Sequence, residues 1–130
     1  MVAPTFRSPR GEWVGPSGRV RTVVYNTSAV DPEQDLPDSI LGFTAPEWKG
    51  RVGWAPLNGS FQAFVTALRV QQGEEVARQW LEGMKANDAR PYPKNTPIVA
   101  AVASGEVDVG FVNHYYLERF FEEEGERFCL

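Results

Sequence analysis

The sequence predicts an α/β fold with a layered sheet, and three observations carry that prediction. Strand-like and helix-like stretches alternate along the chain. Val107, Val109 and Phe111 alternate with small or polar residues and Val112 follows, the pattern of a strand buried on both faces. Phe61, Phe64, Val65 and Leu68 fall at i, i+3, i+4 and i+7, the spacing of an amphipathic helix.

Residues 1–18 are rich in Pro, Gly, Arg and Ser, with Trp13 and Val14 as a short strand. Residues 19–26 are β-branched and partly alternating, which predicts a strand. Asp31-Pro32 starts a turn. A short helical segment centres on Ser39-Ile40-Leu41. One helical turn follows over 44–48, with Thr44 as N-cap and Glu47 three residues on, and Gly50 ends it. Residues 51–55 form a short strand stopped by Pro56. The Phe61 helix runs to about Gln72, and Gly73 breaks it. Val76, Ala77, Trp80, Leu81 and Met84 mark a second helix, with Glu74 and Glu75 in the first turn where the dipole favours them. Residues 90–92 make a short strand. A helix begins around Asn95-Thr96-Pro97, with Ile98, Val99 and Val102 inward until Gly105. Leu117, Phe120 and Phe121 mark the last helix. Its end carries Glu122-Glu123-Glu124, where the dipole disfavours negative charge, and Phe128 and Leu130 trail as an apolar tail.

The composition is that of an ordinary globular chain. Its 130 residues suffice for one domain with its own core, and 42% are hydrophobic and 23% charged. A formal net charge of −4 without a dense Lys/Arg stripe argues against a nucleic-acid module. No apolar run approaches the roughly 20 residues of a membrane span. Cys129 is the sole cysteine, so an internal disulfide and a thiolate metal site are both excluded. Residues 1–5 carry no signal-peptide pattern, which leaves a cytoplasmic protein, a removed leader or a piece of a longer chain as alternatives.

Three polar clusters stand at helix starts: Asn58-Gly59-Ser60, Asn95, and Asn113 to Tyr116. Ligands of open α/β sheets bind at the carboxyl edge of the strands, and helix starts favour anions. If the first and third clusters follow neighbouring strands, all three share one rim. Taken singly, each is read more simply as a helix cap. Together they point to an anion site beside Tyr115 and Tyr116. Those tyrosines have a plain reading too, in which rings pack and hydroxyls meet water or a carbonyl. The sharper reading is metal, because a phenolate is a hard oxygen donor suited to a trivalent cation. Neighbours on a helix point about 100° apart, so both reach one ion only where a helix is starting. His114 fits a capping or surface role better than ligation. Glu106 and Asp108 read as solvated, and Trp48, Trp54 and Trp80 as core.

The segments Trp48-Lys49-Gly50-Arg51-Val52-Gly53, Asn58-Gly59-Ser60-Phe61-Gln62, Trp80-Leu81-Glu82-Gly83-Met84-Lys85-Ala86-Asn87, Asn95-Thr96, Gly105-Glu106-Val107-Asp108-Val109-Gly110 and Asn113-His114-Tyr115-Tyr116 resemble the periplasmic ferric-iron-binding proteins. These are transferrin-like solute receptors of bacterial iron ABC importers. The resemblance spans nearly the whole chain. It implies a three-layer αβα sandwich with a mixed sheet, one lobe of a periplasmic-binding-protein-like (type II) fold. Residues 1–130 would be most of the second lobe, with the first lobe absent. It implies a binding protein and not an enzyme, with ferric iron on Tyr115 and Tyr116. Phosphate or carbonate would be held as synergistic anion by Asn58, Gly59, Ser60, Asn95 and Asn113. The membrane permease would be a partner through the full-length protein. The location would be periplasmic, or extracellular and lipid-anchored in a single-membrane bacterium.

Two departures stand out. No segment here matches the first-lobe His or Glu ligand of the family. Some branches carry a further tyrosine in the loop that here reads Asn58-Gly59-Ser60, where position 61 is Phe61. Without the opposing lobe, affinity is expected to be well below that of a closed site, and two copies facing each other would complete the clamp. The alternatives are a lobe for another oxyanion or small solute, and a small α/β interaction domain with no metal.

Overall fold

The computed structural model describes residues 3–124. Strand β4 (Val109–Asn113) is buried at every position, as its apolar run requires. It sits between β1 (Arg21–Tyr25) and β2 (Val52–Trp54), and β3 (Arg90–Pro91) lies beyond β2. The sheet is mixed. β1 runs antiparallel to β4, with Arg21 opposite Asn113, while β4, β2 and β3 are mutually parallel. Each parallel strand therefore feeds a helix at the same edge of the sheet.

Helices cover both faces. α1 (Gly59–Gln72) and α2 (Glu74–Ala86) close one side over Val52, Trp54, Val109 and Phe111. α3 (Asn95–Ala103) and α4 (Tyr115–Glu124) close the other over Val24 and Val112. The period-two alternation of the strands divides the core in this way. The result is the αβα sandwich with a mixed sheet. The α1 side is aromatic: Phe61 stands edge-on to Trp54 at 5.6 Å and stacks on Trp80 at 6.1 Å, and Trp80 reaches Phe111 at 5.9 Å. Trp48, Trp54 and Trp80 are all buried there, as core residues.

Glycine does two jobs. Gly73, at φ 97°, turns the chain between α1 and α2 in a conformation that side chains resist. Gly53 and Gly110 pair across β2 and β4, and both lie under α3. A Cβ on Gly110 would overlap Ile98 Cγ2, and one on Gly53 would press on Ile98, Val107 and Tyr92. Their bare backbone lets α3 approach the sheet closely.

Several local expectations change. Trp13 and Val14 form no strand; Val14 makes an isolated bridge to Arg7. The segments Ile40–Thr44 and Pro46–Trp48 are 3-10 turns. Thr44 does not cap the second, because its hydroxyl donates to Leu41 O at 2.9 Å. Glu106 and Asp108 are not merely solvated. Glu106 accepts from the Tyr92 hydroxyl at 2.9 Å and pairs with Arg90. Asp108 pairs with Arg51, whose guanidinium lies 4.8 Å from the Trp48 ring centre. Glu122–Glu124 close α4; Phe128, Cys129 and Leu130 lie outside the described residues. Among the described residues no helix is long and apolar enough to cross a membrane.

Gly110→Ala should lower stability by about 1–3 kcal/mol, because β-branched Ile98 cannot swing clear of the new methyl. Urea unfolding checks this. A midpoint unchanged from the parent would show that α3 does not need the close approach.

Candidate functional site

The three polar clusters meet at the carboxyl edge of the parallel strands. β2 leads through Ala55–Leu57 to Asn58 and α1; β3 leads to α3; β4 ends at Asn113 just before α4. Because β2 and β4 are paired neighbours, the first and third clusters stand side by side. Asn58 is the N-cap of α1: its side-chain oxygen accepts from Ser60 N at 3.0 Å and from the Ser60 hydroxyl at 2.6 Å. So the capping alternative applies at Asn58, with Gly59 as the first helical residue. Asn95 is different. It lies inside α3, after an N-cap Lys94 that makes no side-chain capping bond, and is 1% exposed. Asn113 is the last strand residue and does not open the helix.

The residue that joins these groups is Arg21, which the sequence reading passed over as a strand residue. Its Nη1 donates to Ser60 Oγ at 3.1 Å and to Asn95 Oδ1 and Asn113 Oδ1 at 3.4 Å each. Its Nη2 donates to Phe111 O at 2.7 Å, and the guanidinium lies 5.3 Å from the Phe61 ring centre. Asn95 Nδ2 donates to Ser60 Oγ at 3.4 Å, closing the ring of contacts. Arg21 Nε is buried without a partner among the described residues. Burial pushes the guanidinium down to about 10, while Tyr116 and Tyr115 pull it up, so the charge remains at neutral pH. A signal was available: Arg21 shares strand parity with Val23 and Tyr25, which pack on the core. A cation on such a face must find acceptors.

Tyr115 and Tyr116 are the first two residues of α4. Their rings are 4.5 Å apart at 31°, close to parallel for consecutive residues. Both are half-buried, and Tyr116 packs against the α3 side of the core. Asn113 Nδ2 donates to the Tyr115 hydroxyl at 3.4 Å. That bond pulls the Tyr115 phenol below its ordinary value, helped by a hydrogen bond from Tyr116 and by the charges of Arg19 and Arg119. Tyr116 moves up, first because it donates to Tyr115 and then because it is desolvated; a bond from Asn95 opposes this. The pair is thus poised to lose one proton before the other.

His114 points elsewhere. Its Nδ1 accepts from Val20 N at 3.2 Å, and the His114 backbone N–H donates to Val20 O at 3.0 Å. This double contact extends the pairing of β1 and β4 by one residue. Among the described residues, no group of three or more His, Cys, Asp or Glu is placed to hold a metal. The arrangement offers two phenol oxygens beside a cationic, amide-lined recess. Chemically it suits a hard cation and an anion held together.

The chain is similar to several known proteins. The family model described as bacterial extracellular solute-binding protein matches residues 2–124. The major ferric iron-binding protein of Neisseria meningitidis is 42% identical over 96% of this chain and 40% of its own length. Iron-bound HitA from Pseudomonas aeruginosa superposes with a TM-score of 0.86, at 38% identity over 96% of this chain and 40% of that one. A Trichodesmium protein (IdiA, FutA) in complex with iron and citrate gives 0.82, at 31% identity over 92% and 38%. The chain thus spans about 40% of the length of these relatives.

In the metal-free chain, the first phenol to ionise should do so below the ordinary value of about 10. Asn113→Ala and Tyr116→Phe should each move that step up, since each removes a donor to the Tyr115 oxygen. Ultraviolet titration of the phenolate band measures it. An unmoved step in both variants would dissociate Tyr115 from these partners.

Proposed function

This chain belongs to the bacterial extracellular solute-binding proteins, and on that premise we propose that it binds ferric iron through Tyr115 and Tyr116 together with a small anion. In this reading it forms most of the second lobe of a periplasmic receptor that delivers iron to the permease of an ABC importer. Relatives named as ferric iron-binding and periplasmic support the cargo and the location. The single observation that carries the residue assignment is the pair of half-buried phenols beside the Arg21 cluster, at the shared edge of three parallel strands.

The chemistry follows from these groups. Each phenol yields its proton to solvent as its oxygen takes the metal, so binding weakens as pH falls. Tyr115 is prepared for this by Asn113. The anion sits beside the Arg21 charge, with Ser60, Asn95, Asn113 and the Gly59 end of α1 around it. Asn58 acts by holding Ser60 in place. Phosphate and carbonate both meet these demands.

Ferric salt with phosphate or carbonate should give a visible phenolate-to-iron charge-transfer colour, with release of about two protons per iron at neutral pH. Tyr115→Phe and Tyr116→Phe should each weaken the colour at least about tenfold in iron affinity, and the double variant should abolish it. Arg21→Gln should raise the anion concentration needed. No colour at any iron ratio would reject the reading. Anion binding without colour would leave an oxyanion receptor in its place.

A further inference from the structure

His114 stands where strand β4 becomes helix α4, between Asn113 and Tyr115. Antiparallel partners at such a position normally exchange two backbone hydrogen bonds. Val20 and His114 make only one of them. The His114 N–H donates to Val20 O at 3.0 Å, but the Val20 N–H donates to His114 Nδ1 at 3.2 Å and not to the His114 carbonyl. That carbonyl accepts from Leu117 N at 3.2 Å instead and so begins α4. The imidazole takes the place of a strand carbonyl. With Nδ1 as the acceptor, the ring proton sits on Nε2.

The exchange lets the chain leave the sheet within one residue. Tyr115 and Tyr116 are therefore the first two residues of α4, where neighbouring side chains can still face one point. The same imidazole stands edge-on to Tyr115, with ring centres 5.7 Å apart at 86°. Tyr115 in turn lies against Tyr116 at 4.5 Å. A ring tied to the Val20 backbone thus limits how far the first phenol can rotate, and with it the alignment of the pair.

Resting on the proposed iron reading, we infer that His114 is a positioning residue for the tyrosine pair. In this role it binds no metal. Its Nδ1 holds the Val20 N–H, frees the His114 carbonyl for the helix and keeps the Tyr115 ring against Tyr116. Without that acceptor, the Val20 N–H draws the His114 carbonyl back into the ladder. The helix then starts later, and Tyr115 turns away from its neighbour.

Two substitutions separate the acceptor from the ring. His114→Phe keeps an aromatic edge and removes the acceptor. His114→Asn keeps an acceptor oxygen at the position of Nδ1 and removes the ring. In the metal-free chain, nuclear Overhauser contacts between the Tyr115 and Tyr116 rings report their alignment. These contacts should vanish in His114→Phe and persist in His114→Asn. Iron affinity, read from the charge-transfer colour with phosphate present, should fall about tenfold in His114→Phe and return to within about threefold of the parent in His114→Asn. Ring contacts kept in His114→Phe, or lost in both variants, overturn the inference. So does iron affinity in His114→Phe within about twofold of the parent. An affinity loss that follows the urea midpoint in both variants marks general destabilisation and overturns it as well. A parent chain that gives no colour overturns the iron reading alone, because the ring contacts are read without metal.

Discussion

The Arg21 guanidinium is the contact on which the site is built. Removing a cation from water costs several kcal/mol unless acceptors surround it. Here the acceptors come from three separate elements: Ser60 from α1, Asn95 from α3, and Asn113 and Phe111 O from β4. One side chain from β1 thus gathers both helical layers and the central strand. The aromatic core supports it from below, since Phe61 lies under the guanidinium and is itself fixed between Trp54 and Trp80. The glycine pair at Gly53 and Gly110 contributes on the other side by letting α3, and so Asn95, come close. Fold and site are therefore coupled through particular packing choices.

The sequence made the layers legible because period-two and period-3.6 patterns report burial directly. It also made the rim legible, because polar clusters at helix starts after parallel strands must share an edge. It was weaker where one residue type serves two ends. Asn58 caps its helix, whereas Asn95, of the same type at a similar place, sits inside its helix with its amide turned to the cluster. Local sequence does not separate the two, because the choice depends on whether a neighbour such as Arg21 competes for the amide. Arg21 itself was hidden for the same reason: its acceptors lie 39, 74, 90 and 92 residues away. Thr44 failed as a cap because a carbonyl of its own 3-10 turn took the hydroxyl.

The cation also decides how a metal could be tolerated nearby. On the proposed reading, a trivalent ion joins two phenolates close to Arg21. At a separation of about 5 Å and an effective dielectric of about 20, ion and guanidinium would repel by about 10 kcal/mol. Two phenolates would offset much of the metal's own charge. An anion placed between the two cations turns that repulsion into two attractions. On that reading the Arg21 cluster would make an anion a condition of metal binding.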